Sequence, residues 1–265
     1  MTVDTATAPT TPITVPAQGA LPSVRVSTRR PAADLEVIIP AYNEAARLPR
    51  TLEATVAFLA AQPWDSRIVV VDNGSVDDTA GVVRAAAARL GDTVPIEVIG
   101  CTRAGKGAAV RRGLSTSSAR FVGFFDADLS TPVETLTAAM FHLQSGAGAV
   151  IASRHAPGAR FAEAQPLARR LGGAAFRALS RSVVPGVHDS QCGFKFFARE
   201  VAEAAVRECH LDGFAFDVEL LRRVQQVGAD IVEVPVTWTD DARSTFHPIR
   251  DGIPSFRAVL ALRGA

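Results

Sequence analysis

Two carboxylates one residue apart, Asp126 and Asp128, follow the uncharged run 121–125 and are well placed to hold a hard divalent cation. Such a run is typical of a strand covered on both faces, as in a parallel α/β sheet, and these sheets bind ligands at the carboxyl ends of their strands. Mg²⁺ takes one or two protein carboxylates together with phosphate oxygens. The pair therefore predicts a cation beside a phosphate group. The structural alternative is that Asp126 caps a turn and Asp128 caps a helix opening near residues 131–132.

Two earlier apolar runs, 35–39 and 67–71, also end in polar side chains. If the strands are parallel, these ends lie on the same edge as Asp126 and Asp128. The polar residues predicted at that edge are Tyr42, Asn43, Glu44, Asp72 and Asn73.

Lys106 stands between two glycines at the start of a predicted helix, 106–117. Free N–H groups at a helix start and a lysine side chain can bind an anion, although the same pattern also suits a plain turn before a helix. The sequence has no GxGxxG after its first strand, no GxxxxGK[ST] and no GxSxG. Their absence argues against a dinucleotide fold, a P-loop and an acyl-transfer nucleophile.

Two later segments place polar residues in apolar surroundings. Residues 189–195 (DSQCGFK) join polar groups and a glycine to an aromatic strand, and residues 214–221 (FAFDVELL) carry Asp217 and Glu219. Asp217 is interpreted either as a helix N-cap or as a carboxylate held in a substrate cavity. For Glu219 the structural alternative is an exposed acid in the first helical turn.

Composition restricts the class of protein. The 28 Lys and Arg residues nearly balance the 27 Asp and Glu residues, so net charge gives no sign of a nucleic-acid partner. The three cysteines form no CxxC pair, which fits a reducing cytosol. No apolar run approaches the roughly 20 residues that span a bilayer, so we expect a cytoplasmic protein, soluble or peripheral on the inner face of the membrane. Residues 154–181 hold six arginines and one glutamate, either as a solvated helix face or as a surface for anionic substrates or headgroups.

Strand and helix patterns alternate along most of the chain. Residues 1–33 are rich in Thr, Pro and Ala and are predicted to be a disordered leader. Residues 34–245 are predicted to form one α/β domain with a mostly parallel, doubly wound sheet flanked by helices. Residues 246–265 are predicted to be an amphipathic segment that packs on the core or lies on a membrane.

These motifs together resemble family-2 glycosyltransferases of the GT-A fold, in the branch of dolichyl-phosphate β-glucosyltransferases and bacterial polyprenyl-phosphate transferases. The resemblance extends over residues 35–244. Its motifs, in the order of that family, are 40–44 (PAYNE), 72–75 (DNGS), 105–107 (GKG), 126–128 (DAD), 153–154 (SR), 191–195 (QCGFK), 215–219 (AFDVE) and 233–236 (EVPV).

The resemblance implies a nucleotide-sugar donor on residues 34–130 and an acceptor on residues 131–245. It implies Mg²⁺ or Mn²⁺ on Asp126 and Asp128, with Ser130 where some relatives carry a further metal ligand. The implied donor-binding residues are Pro40, Tyr42, Asn43, Glu44, Asp72, Asn73, Gly74, Lys106, Asp126, Ala127 and Asp128. The implied acceptor-binding residues are Arg154, Gln191, Gly193 and Lys195, and the implied catalytic residues are Asp128, Asp217, Arg154 and Lys195.

The implied reaction is inverting transfer of a hexose, glucose from UDP-glucose, to a polyprenyl phosphate. A phosphate acceptor is already anionic near neutral pH and needs cations rather than a strong base, whereas an alcohol acceptor would need Asp217 or Asp189 as base. Two alternatives stay open from the sequence. One keeps the donor but uses a soluble acceptor, and the other is a non-catalytic protein that binds nucleotide-sugars.

Overall fold

A computed structural model describes residues 32–161, 167–238 and 252–264 of the chain. The predicted disordered leader, residues 1–33, lies almost wholly outside these residues, as does the start of the predicted C-terminal segment. Among the described residues, no helix is long and apolar enough to cross a bilayer.

A seven-stranded sheet forms the centre of the molecule, in the order β3-β2-β1-β4-β7-β5-β8. Every neighbouring pair is parallel except the two pairs that involve β7. The strands are β1 (Leu35–Ala41), β2 (Ser66–Asp72), β3 (Ile96–Gly100), β4 (Phe121–Phe125), β5 (Ala149–Ser153), β7 (Phe194–Ala198) and β8 (Ile231–Pro235). The predicted mostly parallel α/β sheet is confirmed.

A second sheet was not predicted from the sequence. It consists of β6 (Arg160–Phe161) and β9 (Thr237–Trp238), which pair in parallel. Strands of two residues carry no alternating pattern that a sequence could reveal.

Helices cover both faces of the large sheet. They are α1 (Leu48–Ala60), α2 (Thr79–Leu90), α3 (Lys106–Thr116), α4 (Thr135–Gln144), α5 (Leu167–Val183), α6 (Arg199–Arg207), α7 (Phe216–Gln226) and α8 (Gly252–Gly264). Buried side chains of α1, α2 and α4 join one hydrophobic cluster with the strands, and those of α3, α6, α7 and α8 join the other. Two clusters on opposite faces explain why the strands read as continuous apolar runs.

The sheet topology brings the polar strand ends together. In the parallel pairs, Ala41 lies opposite Asp72 and Ile38 opposite Phe124, so β1, β2 and β4 end at one edge. Because β7 is antiparallel, its first residue, Phe194, lies opposite the last residue of β4, Phe125. Residues before β7 therefore meet residues after β4.

Candidate active site

The segment after β1 crosses the sheet edge in an irregular conformation. Asn43 has a positive φ of 55°, and the first helix begins only at Leu48, five residues later than the predicted start at 43. The Asn43 backbone N–H donates to Ser75 Oγ at 2.9 Å, and the Val76 N–H donates to Asn43 Oδ1 at 2.9 Å. These bonds hold the loops after β1 and β2 together, while Tyr42 is 52% exposed beside them.

Glu44 lies near both aspartates of the 126–128 pair. Burial raises the pKa of its carboxyl, the Arg47 side chain opposes that shift, and the Asp128 and Asp126 carboxylates add to it. Arg47 donates to both Glu44 oxygens at 2.9 Å. Glu44 is already paired with the positive charge of Arg47. It is therefore better suited to a hydrogen bond with a bound donor than to serving as a third metal ligand.

The segment after β2 forms a turn that organises the loop before α3. Asp72 Oδ1 accepts the Ser75 N–H at 3.0 Å, and Gly74 has a positive φ of 77°. The Asn73 side chain donates to the Arg103 carbonyl at 2.5 Å and accepts the Gly105 N–H at 2.7 Å. Asn73 therefore positions the residues that lead directly into Lys106.

Lys106 and Asp126 form an ion pair at the centre of the edge, with Nζ 2.6 Å from Oδ1. Burial raises the pKa of Asp126 although Lys106 opposes the shift, and the nearby Asp128 carboxylate raises it further. For Lys106, burial alone would lower the pKa, but Asp126 and Asp217 raise it above the ordinary value. The lysine is therefore a permanent cation beside the carboxylate pair.

The other two residues of the 126–128 motif differ in exposure. Asp128 Oδ1 accepts the Ser130 N–H at 2.9 Å, so Asp128 caps a local turn. It does not cap the next helix, as the structural alternative had it, because Glu134 is the N-cap of α4. Ala127 is only 5% exposed, and its carbonyl accepts the Thr51 hydroxyl at 2.5 Å. Ala127 therefore anchors the motif to α1.

Gly193 lies directly under Asp126. A Cβ at this glycine would stand 1.8 Å from Asp126 Oδ2, and the Asp126 N–H donates to the Gly193 carbonyl at 3.0 Å. A side chain at this position would displace the Asp126 carboxylate. The glycine that the sequence assigns to the acceptor site thus also shapes the carboxylate site.

Arg154 follows β5 and forms a two-bond fork with the fully buried Asp189. Its Nε and Nη2 donate to the two carboxylate oxygens at 2.7 and 2.8 Å, and its backbone N–H donates at 2.9 Å. Burial alone would raise the pKa of Asp189, but Arg154 lowers it to about 2. The guanidinium also lies 5.3 Å from the centre of the Trp238 ring. Among the described residues no other acceptor binds the Arg154 side chain, so its remaining N–H groups can meet an anion.

Glu233 is a functional candidate that the sequence reasoning missed. Its carboxylate, on β8, accepts the Asp189 N–H at 3.0 Å and the His188 N–H at 2.9 Å, and lies 2.6 Å from His188 Nδ1. It thereby fixes the loop that supplies Asp189, Gln191 and Gly193. The signal was a glutamate inside an apolar strand of the EVPV motif.

Lys195 and Asp217 form a buried ion pair in the interior, behind the sheet edge that carries Asp126 and Asp128. Lys195 Nζ lies 2.6 Å from Asp217 Oδ1 and 2.6 Å from the Cys192 carbonyl, and the lysine side chain has no exposed surface. The N-cap interpretation of Asp217 is wrong, because Ala215 is the N-cap of α7. Direct contact of either residue with an acceptor stays a prediction. The geometry favours a positioning role, since the pair supports residue 192 of the site loop.

Two further polar side chains of these segments are buried. Glu219 is not the exposed acid of the structural alternative: it is 2% exposed and accepts the backbone N–H groups of His210 and Leu211. Gln191 Nε2 is buried and has no hydrogen-bond partner in the part of the chain that the structure describes. A buried donor without a partner is costly, so a ligand oxygen is its natural complement.

The carboxylates of Asp126 and Asp128 suit a divalent cation that keeps most of its shell for other ligands. Among the described residues, no three His, Cys, Asp or Glu side chains are arranged to hold a metal. Mg²⁺ and Mn²⁺ need no such set, because phosphate oxygens and water complete their coordination. The donor set therefore fits a metal that arrives with a diphosphate.

Comparison with known proteins identifies the family. The model of glycosyl transferase family 2 matches residues 36–205. The chain belongs to glycosyl transferase family 2. It is 31% identical to human dolichyl-phosphate β-glucosyltransferase over 262 residues, covering 92% of this chain and 78% of that protein. It is 30% identical to the Dictyostelium discoideum enzyme of the same name over 241 residues, covering 86% of this chain and 73% of that protein.

Solved structures confirm the fold of this glycosyltransferase. Glucosyl-3-phosphoglycerate synthase from Mycobacterium tuberculosis, in complex with Mn²⁺, UDP and glucosyl-3-phosphoglycerate, superposes with a TM-score of 0.64. The two chains are 20% identical, and the match covers 87% of this chain and 78% of that one. The predicted GT-A fold and the predicted enzyme class are both confirmed.

Proposed function

We propose that this family-2 glycosyltransferase transfers glucose from UDP-glucose to a polyprenyl phosphate, with inversion and with Mg²⁺ or Mn²⁺. The observation that carries the proposal is the convergence of charged groups at this sheet edge. One carboxylate pair, one lysine and one arginine meet there from three segments of the chain. The dolichyl-phosphate β-glucosyltransferases similar to this chain support the acceptor class.

The donor lies on the ends of β1, β2 and β4. Tyr42, Asn43 and Glu44 offer an exposed surface beside the 72–74 turn for the nucleoside. A metal held by Asp126 and Asp128, when bound, neutralises charge on the diphosphate leaving group. Lys106 adds a fixed positive charge at the same place. Such preorganised charge stabilises a transition state without reorganisation at the moment of reaction.

The acceptor lies on the opposite side of the pair, at the 188–193 loop. Arg154 holds the acceptor phosphate with the N–H groups that Asp189 leaves free, and Gln191 Nε2 donates to an acceptor oxygen. A phosphate is already ionised near neutral pH, so its attack on the anomeric carbon needs alignment more than a base. The new C–O bond forms as the bond to UDP breaks, which inverts the anomeric centre.

A UDP-release assay tests the proposal. We expect release from UDP-glucose to require both Mn²⁺ and a short-chain polyprenyl phosphate, and to stop with EDTA. Asp128→Asn removes one metal-binding charge and should lower the rate by at least about 100-fold, the scale of losing one preorganised electrostatic group. The matched control is Asp92→Asn, at an exposed turn.

The outcomes separate the alternatives. Turnover of Asp128→Asn at the wild-type rate would contradict the metal assignment. Metal-dependent release of UDP that polyprenyl phosphate does not stimulate would indicate that the enzyme uses a soluble acceptor. Tight binding of donor with no release under any condition would assign a non-catalytic binding protein.

A further inference from the structure

Helices α5 and α8 form a pair on the surface of the molecule. Phe176 of α5 and Phe256 of α8 meet edge to face, with ring centres 5.1 Å apart. Val259 of α8 is fully buried in the core cluster that α7 also joins, and Ser255, one turn earlier, is 7% exposed. One face of α8 is therefore packed on the domain.

The opposite face of α8 carries apolar side chains that no described residue covers. Ile253 is 49% exposed and Leu260 is 54% exposed. At 100° per residue, positions 253, 257 and 260 lie on one stripe, so exposed Arg257 stands between the two. A helix with apolar residues on both faces is normally covered on both, and the described part of the chain covers only one.

The charge of the pair identifies what can cover it. Neither α5 nor α8 contains an aspartate or a glutamate along its printed length. The arginines whose side chains the structure describes on the two helices are Arg177, Arg181, Arg257 and Arg263. Arginine stems can lie along apolar surface while their head groups reach phosphates. The complement of such a surface is a layer of anionic headgroups above apolar chains.

The pair also adjoins the candidate active site. Burial lowers the pKa of Arg177, and the positive charges of Arg154 and Arg181 lower it further while Asp189 opposes them. These groups are therefore within electrostatic range of one another. A phosphate near Arg177 would therefore also be attracted by the arginine that we assign to the acceptor.

We propose that the α5–α8 surface, with Ile253, Arg257, Leu260 and Arg263 at its centre, docks this enzyme on an anionic lipid bilayer. The inference rests on the proposed function, because a membrane is where a polyprenyl phosphate is found. Two partly exposed apolar side chains are too few for a stable protein interface, which buries about 1,200–2,000 Å². They suffice for shallow insertion at the headgroup boundary, where the arginines add electrostatic attraction to an anionic surface.

Vesicle cosedimentation of the full chain tests this docking without any acceptor. We expect binding to vesicles of phosphatidylcholine with phosphatidylglycerol, little binding to phosphatidylcholine alone, and release by high salt. Ile253→Ser/Leu260→Ser should weaken binding by roughly tenfold. Arg257→Gln/Arg263→Gln should weaken it too and reduce its salt dependence. The matched control is Phe141→Ser, which removes a 66% exposed phenylalanine from α4, and it should bind like the wild type.

Several results would overturn the docking proposal. Failure of the wild type to sediment with anionic vesicles would do so, as would equal binding by Ile253→Ser/Leu260→Ser. A change from dimer to monomer in that variant, with vesicle binding unaltered, would assign the stripe to a second copy of the chain.

Activity measurements keep this inference separate from the proposed function. With a short, water-soluble polyprenyl phosphate, Ile253→Ser/Leu260→Ser should release UDP at the wild-type rate. With a long-chain acceptor in anionic vesicles it should be slower than the wild type. Absence of transfer by the wild type in both assays would contradict the proposed function. Vesicle cosedimentation would still show whether the α5–α8 surface binds lipid.

Discussion

At the scale of single residues, Gly193 is the position where the two halves of the site constrain each other most tightly. Gly193→Ala would force a methyl group to within 1.8 Å of Asp126 Oδ2. Since the methyl is attached to backbone, the carboxylate must move away from its bond with Lys106. We expect a loss of about 100-fold or more in UDP release, because displacing a group of the site by about 1 Å can cost that much. Circular dichroism should show that the fold is retained.

Gly100→Ala is the matched control for this prediction. A Cβ at Gly100 meets no atom within 4 Å, and the residue has ordinary backbone geometry. It should keep wild-type turnover. Unchanged activity in Gly193→Ala would show that the Asp126 position is not needed for the reaction.

Asp189 links the site to acid stability. Its pKa in the folded protein is lowered to about 2, below the ordinary value of 3.8, because Arg154 outweighs the cost of burial. A lowered pKa contributes stability that is complete above the unfolded pKa and is lost as pH falls from about 4 toward 2, on the order of 2 kcal/mol in total. Urea unfolding of the wild type and Asp189→Asn should therefore differ most near neutral pH. The difference should shrink below pH about 4. A pH-independent difference would contradict this origin.

At the scale of elements, the pair Lys195–Asp217 joins β7 to α7 in the interior. Breaking a buried ion pair from one side leaves a charge without its partner, which costs roughly 3–5 kcal/mol. Lys195→Met should lower the free energy of unfolding by about that amount. Lys195→Met/Asp217→Leu should recover much of the loss, because no buried charge remains. Chemical denaturation of the three proteins measures the coupling.

Additive losses in the double variant would show that the two side chains act independently. Activity provides a second readout. If the pair only positions the 188–193 loop, the double variant should lose acceptor-dependent turnover. It should keep its affinity for UDP-glucose, the donor that we propose for the ends of the other strands.

At the scale of the whole molecule, burial separates the three cysteines. Burial raises the pKa of Cys192 to about 11 and that of Cys209 to about 12, whereas Cys101 is partly exposed. The thiolate is the reactive form, so only Cys101 should react quickly with iodoacetamide at mildly alkaline pH. Intact-mass spectrometry should show one rapid adduct in the native enzyme and three in urea. Rapid modification of two or three thiols without urea would contradict the compact core around β7 and α6.

Local sequence patterns predict much of the fold. The runs that form β1, β2 and β4 are apolar because both faces of the sheet are covered, and each stops at polar residues where the strand leaves the core. That pattern predicted these strands to within about two residues of their observed ends. It also predicted that Asp72, Asp126 and Asp128 share one edge, since parallel strands end together. The short β6 and β9 have no pattern of their own and were missed.

What only the tertiary structure decided depends on contacts between residues far apart in the chain. The antiparallel direction of β7 brings Gly193 under Asp126, and the register of β5 with β8 brings Glu233 beneath the Asp189 loop. The sequence assigned Lys195 and Asp217 to the substrate site without showing that their side chains form a buried ion pair with each other. Sequence by itself determined which residues can do chemistry and at which edge they stand. Tertiary structure decided which of them are exposed at that edge and which are buried with partners beneath it, because burial and partner choice follow from packing across the sheet.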